Sequence, residues 1–409
     1  MDHYRGGDGN TLNEQVLWHL RGDCDTAALG RALDALTARH ESLRTTFEVR
    51  RRQLVQRVHP PRPVPLRTVD VSTAPAPRTA ARDLIAAEVV TPIDATVWPV
   101  RVLLIRIGPA HHALAVTMHH YVSDDYSNAL LSRDLRALHH GQPELEPVDW
   151  QYADWSQWQH TVLTGENLDR LRDYWTGHLA GAVLPALPEK AATPRSAGEP
   201  AFVSVERIID PAVTAGLRRL ARDQRSTLFT VLLALFYRVL AGTTGQHDLA
   251  VASLFANRNR AEVRQSVGFF VTMVLLRSQV PPDEPFPALV RRVRTVVMEA
   301  MRHQDLPFQL LPPGTVSGPG RTDDVMFQLL GSFLERADMV GDELADLEAQ
   351  LERRRFALEF VLVPQGGALT ALVLGARDRF DPDWAAALVD GYVRLAAQVV
   401  AEAAADRVL

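Results

Sequence analysis

The chain has 409 residues, 46% of them apolar and 23% charged, with a formal net charge of -5 at pH 7. That length is too great for one ordinary core, so two domains or lobes are expected, and the acidic balance argues against a nucleic-acid surface spread over the molecule. A single cysteine, Cys24, excludes an internal disulfide framework and a cysteine zinc site, and the flanking Asp23 and Asp25 disfavour its thiolate.

The first nine residues are polar and lack the apolar centre of a signal peptide. The longest apolar run, Leu228 to Gly242, carries Tyr237 and Arg238 and is too short to span a bilayer, so a cytoplasmic protein is expected. Gln15 to Arg21 reads as a strand closed by Gly22, after which Asp25 or Thr26 caps a helix with Leu29, Leu33 and Leu36 on one face. A proline-rich connection, Pro60 to Pro65, leads to a helix around Thr79 to Val89. Two strands follow, Arg101 to Ile107 and His112 to His120, joined by the turn signal Gly108-Pro109-Ala110. A helix from about Asn128 to His140 ends at Gly141.

Gly181 to Pro200, rich in proline and alanine and without apolar periodicity, reads as a linker between halves. Beyond it, Ser226 to Leu240 and Pro287 to Arg302 read as helices. Leu249 to Phe255, Phe269 to Arg277 and Phe356 to Val363 read as strands, and Pro382 opens a last helix towards Ala404. The pattern is mixed α and β in both halves. Local basic groups, Arg50 to Arg52 and the set Arg258, Arg260 and Arg264, read as solvated faces.

Paired histidines are the most unusual local feature: His111-His112, His119-His120 and His139-His140. Successive side chains of a strand point to opposite faces, and no Asp, Glu or His stands at a metal-ligand spacing, so no metal site is expected. His120 shares a face with Leu114, Val116 and Met118, while His119 shares one with Ala113, Ala115 and Thr117. The strand then enters a polar loop, the place where reacting groups are commonly presented. Asp124, four residues beyond His120, is placed to orient a ring or to pair with an arginine. A core histidine satisfied by a carboxylate is the competing reading of the same spacing. Ser123 and Ser127 lie nearby, but no nucleophile elbow or phosphate-binding loop accompanies them.

His119-His120-Tyr121-Val122-Ser123-Asp124-Asp125 resembles the His-His-x-x-x-Asp-Gly motif of the nonribosomal peptide synthetase condensation domains, in the chloramphenicol-acetyltransferase-like superfamily. Further segments are similar to the family's and follow in its order: Arg39 to Phe47, Tyr152-Ala153-Asp154, Tyr174-Trp175 with Leu179, Asn257-Arg258, Val267 to Phe270, Leu276-Arg277 and His303 to Phe308. The resemblance implies an α/β (α+β) fold of two acetyltransferase-like lobes, a V-shaped pseudo-dimer around a central tunnel. Residues 1-170 would form the N-terminal lobe carrying the motif and 171-409 the C-terminal lobe.

The implied activity is transfer of an acyl, aminoacyl or peptidyl thioester to an amine or hydroxyl acceptor, in which His120 is catalytic. Donor and acceptor would arrive on the phosphopantetheine arms of carrier proteins, with no permanently bound cofactor and with synthetase modules as further partners. His119, Asp124 and Arg44 would be structural at the site, with a salt bridge expected between Asp124 and Arg44. Asp125, Ser127, Arg258 and Arg277 would line or support it. With no adenylation, carrier or thioesterase segment in the sequence, the chain reads as a free-standing member.

Three features depart from the family. Asp125 replaces the motif glycine, where a left-handed backbone angle is expected and where a second carboxylate would favour the His120 imidazolium. Thr272-Met273-Val274-Leu275 replaces the usual Asn-Thr-x-Pro before Leu-Arg, and the usual opening helix is missing. These departures keep two alternatives open. One is a condensation-like platform that docks a tailoring oxygenase on a carrier-bound peptide, a class resembled in the Asp-Asp pair but lacking the second histidine that this chain retains. The other is a stand-alone acyltransferase using a soluble acceptor or an acyl coenzyme A.

Overall fold

The computed structural model describes residues 13–141, 144–190, 202–316, 324–330 and 356–405. These residues fall into two compact units. The first runs to Thr161 and takes in Arg258–Val271; the second takes Val162–Asn257 and the described residues from Thr272 onward.

The first unit is built on a sheet of β1 (Asn13–Arg21), β4 (Leu66–Asp70), β5 (Val100–Gly108) and β6 (His111–His119), in the order β1-β6-β5-β4. β6 pairs antiparallel with β1 and β5, whereas β4 lies parallel to β5. The hairpin and helix signals in the sequence correspond to real elements. Helix α1 (Thr26–Arg39) is capped by Asp25, whose carboxylate accepts from the Ala27 and Ala28 amides, each at 2.9 Å. Helix α2 is Pro77–Val90, and α3 is Asp125–His139, closed by Gly141 at a φ of 71°.

Both faces of this sheet are covered, so the alternation along β6 sorts its side chains into two cores. Leu114, Val116 and Met118 pack with Leu29, Leu33 and Leu36 of α1 and Leu131 and Leu135 of α3. Ala113 and Ala115 pack with Ala81 and Ile85 of α2. A separate two-stranded ribbon, β2 (Thr45–Arg50) and β3 (Gln53–Val58), completes the strands of this unit among the described residues.

The second unit holds a larger sheet with β7 (Phe202–Ile209), β8 (Asp248–Phe255), β9 (Thr272–Gln279), β10 (Val325–Leu329), β11 (Leu358–Gln365) and β12 (Ala368–Ala376), ordered β7-β12-β11-β10-β8-β9. Its helices are α5 (Gly165–Leu179), α6 (Pro211–Asp223), α7 (Leu228–Thr244), α8 (Phe286–His303) and α9 (Pro382–Ala405), while α4 (Tyr152–Val162) ends at the boundary between the units. α7 is apolar nearly all round because it is the buried helix of one large core, where Val231 to Tyr237 are fully covered. Among the described residues no single helix is long and apolar enough to cross a membrane. The pair α6 and α7 passes such a test only together, with a bend of 106° between them.

Two expectations change here. Residues 181–190 are not a free linker: Ala182 is buried with the second core, Leu184 is buried too, and the Lys190 amide donates to the Arg379 carbonyl at 2.9 Å. The remainder of that stretch, 191–200, lies outside the described residues. Secondly, Phe269 to Val271 do not belong to the strand read over Phe269 to Arg277. β9 begins at Thr272, and the residues before it pack with the first unit.

Candidate active site

The strand β6 ends at His119, and His120 starts a short 3-10 turn, His120–Val122, that delivers the chain to α3. This turn explains how adjacent histidines come to differ. His119 is buried beside the Tyr121 ring, at a centroid distance of 4.3 Å, and its Nδ1 accepts from the Tyr121 amide at 3.2 Å. Burial pushes its pKa down to about 4, against the opposing pull of Asp94, so this ring stays neutral at pH 7.

His120 meets a different set of partners. Its Nδ1 lies 2.7 Å from the Ser123 carbonyl oxygen. A carbonyl only accepts, so Nδ1 carries the hydrogen, and the neutral ring holds its lone pair on Nε2. The Phe269 ring packs edge-on against the imidazole at 4.6 Å. A short loop of bonds surrounds the same nitrogen. Ser123 Oγ donates to Asn128 Oδ1 at 2.6 Å, Asn128 Nδ2 reaches Glu14 Oε2 at 3.5 Å, and Glu14 Oε1 stands 3.4 Å from His120 Nδ1.

Asp124 is the N-cap of α3, accepting from the Ser127 amide at 2.8 Å and the Ser127 hydroxyl at 2.7 Å. Its partner is Arg258, not the expected Arg44: Arg258 Nη2 lies 3.1 Å from Asp124 Oδ1, with both side chains almost wholly buried. Arg44 instead donates to the His59 carbonyl and approaches Glu41 at 3.4 Å, holding the entry to β2. Arg258 is therefore no solvated surface group. Its guanidinium also donates to the carbonyls of Val263 at 2.9 Å and Ser266 at 2.6 Å, and lies over the rings of Tyr126 and Phe270.

These bonds tie Arg258–Val271 to the motif. Ser127 Oγ lies 2.9 Å from the Gly268 carbonyl and 3.0 Å from the Gly268 amide, and the Phe270 amide donates to Asp124 Oδ2 at 3.0 Å. Ser42 Oγ donates to the Val267 carbonyl at 2.6 Å. Gly268 is required by close approach, since a Cβ there would run into the Tyr152 ring. Ahead of the segment, Asn257 adopts a φ of 53°, a left-handed angle that asparagine tolerates. The Asp124–Arg258 pair thus fixes Phe269, and Phe269 flanks His120.

Asp125 departs from expectation. It is the first residue of α3, its φ is not positive, and its side chain is exposed. No left-handed backbone is required at this position, and an acidic residue there complements the helix dipole. Arg277 lies in the second unit, where it pairs with Asp248 at 2.6 Å and donates to the Ala180 carbonyl at 2.7 Å. Arg39 and His40 both contact buried Asp134, at 2.8 and 2.9 Å, which makes the start of the Arg39 to Phe47 segment a buried polar clasp between α1 and α3. Burial opposes the Asp134 charge, but its bonds to His40, Arg39 and Arg133 hold the carboxyl down to about 2. Among the described residues no group of three His, Cys, Asp or Glu side chains is placed to hold a metal ion.

Glu14 and Phe269 are the neighbours of His120 that sequence reasoning missed. Glu14 precedes the strand as read from the sequence, which opens at Gln15, and only the β1–β6 register, Glu14 opposite Met118, brings it to the motif.

The chain matches the Condensation domain family over residues 6–406. It is 32% identical over 414 residues to a component of the linear gramicidin synthase of Brevibacillus parabrevis, covering 97% of this chain and 5% of that protein. Across eight of the curated relatives it matches, the chain spans only 3% to 12% of their length. Among solved structures, the X-domain from teicoplanin biosynthesis superposes with a TM-score of 0.80 at 25% identity, covering 97% of this chain and 92% of that one. The first condensation domain of the calcium-dependent antibiotic synthetase gives a TM-score of 0.73 at 22% identity, again covering 97% and 92%. The fold is the mixed α/β, chloramphenicol-acetyltransferase-like one, and the chain belongs to the condensation domain family of nonribosomal peptide synthesis.

Proposed function

We propose that this chain is an acyltransferase of the condensation type, in which His120 moves the proton during attack on a carrier-bound thioester. The observation that carries this reading is the 2.7 Å bond from Nδ1 to the Ser123 carbonyl, which sets the neutral tautomer with Nε2 as the basic atom. The acceptor nitrogen or oxygen attacks the thioester carbonyl carbon, and Nε2 takes the proton it sheds. The tetrahedral centre then collapses with cleavage of the carbon–sulfur bond, and the same proton passes to the departing thiolate.

The value of the base depends on the acceptor. About a tenth of a free α-amine is already neutral at pH 7, so placement and stabilisation of the intermediate carry more weight for amide formation. An alcohol is almost never ionised at that pH, and general-base help would be worth about 10²–10⁴-fold. The substrates in this reading are phosphopantetheine thioesters presented by peptidyl or acyl carrier proteins.

A docking platform is the second reading, supported by the likeness to the teicoplanin X-domain, which has also been solved as a complex with OxyB. The retention of both His119 and His120 in the family motif favours catalysis. Incubation with a loaded donor carrier and a panel of amine and alcohol acceptors, followed by intact-mass detection, tests the choice. Transfer by the wild type that is lost in His120→Ala is the expected result. Absence of transfer in the wild type, with tight binding of the loaded carrier or an oxygenase, would favour the platform.

A further inference from the structure

We propose that Glu14 is a positioning residue for His120, holding the imidazole and compensating its charge when Nε2 is protonated. The inference rests on the catalytic reading of His120 and goes beyond it, because the family motif contains no such carboxylate. Glu14 sits on β1 directly opposite Met118, so it projects on the same side of the sheet as the residue that follows His119. Its side chain is 13% exposed, and the carboxylate is held from both ends. Oε1 faces His120 Nδ1 at 3.4 Å, and Oε2 faces Asn128 Nδ2 at 3.5 Å.

Asn128 is fixed in turn by the Ser123 hydroxyl, and the Ser123 carbonyl takes the Nδ1 hydrogen. The four residues close a ring of donors and acceptors. Within it, the Nδ1 hydrogen is bonded to the neutral Ser123 carbonyl, and the Glu14 carboxylate stands 3.4 Å from the same nitrogen. A neutral ring needs only the first; an imidazolium gains from the second, which makes Glu14 matter most when the proton has moved.

The other ionisable groups near His120 do not substitute for it. Asp124 is neutralised by Arg258. His119 is kept uncharged by burial. Asp125 is exposed at the first turn of α3.

The test compares wild type, Glu14→Gln and Glu14→Asp by heteronuclear NMR titration of the histidine rings, with His120→Ala used to assign the His120 signal. In Glu14→Gln the His120 midpoint is expected to fall by about one pH unit or more, with Glu14→Asp recovering part of the shift. The acid limb of the kcat/KM profile should move by the same amount while the thermal unfolding midpoint stays put. An unchanged His120 midpoint overturns the proposal, as does a fall in unfolding midpoint without any change in titration. The titration needs no turnover. Wild-type activity in His120→Ala would therefore overturn the catalytic reading separately, leaving the effect of Glu14 on the ring to be read on its own.

Discussion

Each unit of the molecule contains an antiparallel hairpin whose return strand passes through five residues into a long helix, and the two versions differ sharply in chemistry. In the first unit β5 and β6 lead through His120-Tyr121-Val122-Ser123-Asp124 to α3; in the second, β11 and β12 lead through Arg377-Asp378-Arg379-Phe380-Asp381 to α9. Both helices are capped by the aspartate that ends the junction. Asp124 accepts from the Ser127 amide and Asp381 from the Asp383 amide, each at 2.8 Å.

Beyond the cap they part. Asp381 is exposed and does only local work, while Phe380 fills the second core and Arg379 pairs with Glu189 and Asp324. Asp124 is buried and binds Arg258 and the Phe270 amide as well, fixing a segment 134 or more positions away in sequence. The same local geometry is an anchor in one unit and a candidate reaction centre in the other, because only the first fills its junction with buried, mutually bonded polar groups. Fold supplies the frame, and side chains supply the function.

The comparison is broken most severely at His120. His120→Ala is expected to reduce transfer by about 10²–10⁴-fold with an alcohol acceptor and to leave the fold intact, whereas Arg377→Ala should leave turnover unchanged. Parallel progress curves and unfolding midpoints measure both. The next effect is on stability. Arg258→Ala leaves the buried Asp124 carboxylate uncompensated and is expected to cost about 3–5 kcal/mol. Asp381→Ala, by contrast, removes only a cap, about 1 kcal/mol. Urea unfolding followed by probes in each unit separates the two.

A smaller, pH-dependent contrast comes from His119. Its folded pKa of about 4 lies below the unfolded value near 6.5, so the unfolded chain binds the proton first. Stability of the first unit should be full above pH 6.5 and decline by about 2 kcal/mol as the pH falls towards 4, after allowance for partial exposure. His119→Gln should flatten that decline. Least of all, Asp125→Gly should change stability by less than about 1 kcal/mol, with a loss rather than a gain, since no left-handed angle is present for glycine to relieve. A stabilised Asp125→Gly protein would contradict the helical assignment of that residue.

The local parts of the structure are legible in the sequence and the long-range ones are hidden. Alternation along β6, the turn before it and the Gly141 end of α3 are written in short windows, and the two cores on either side of β6 follow from them. The Arg44 pairing fails because an arginine in a matching motif is indistinguishable from one that truly faces Asp124 until the chain is folded. Arg258 reads as a surface charge because nothing local records that the rings of Tyr126 and Phe270 will cover it. Glu14 is hidden for a similar reason: its role depends on the register of β1 against β6, a pairing between residues about a hundred positions apart.

Proton transfer at His120 is the central claim, and the most direct measurement is intact-mass detection of acyl transfer from a loaded donor carrier by the wild type and by His120→Ala. The predicted result, with an alcohol acceptor, is product with the wild type and about 10²–10⁴-fold slower transfer by a folded His120→Ala protein. Equal product from both would contradict it.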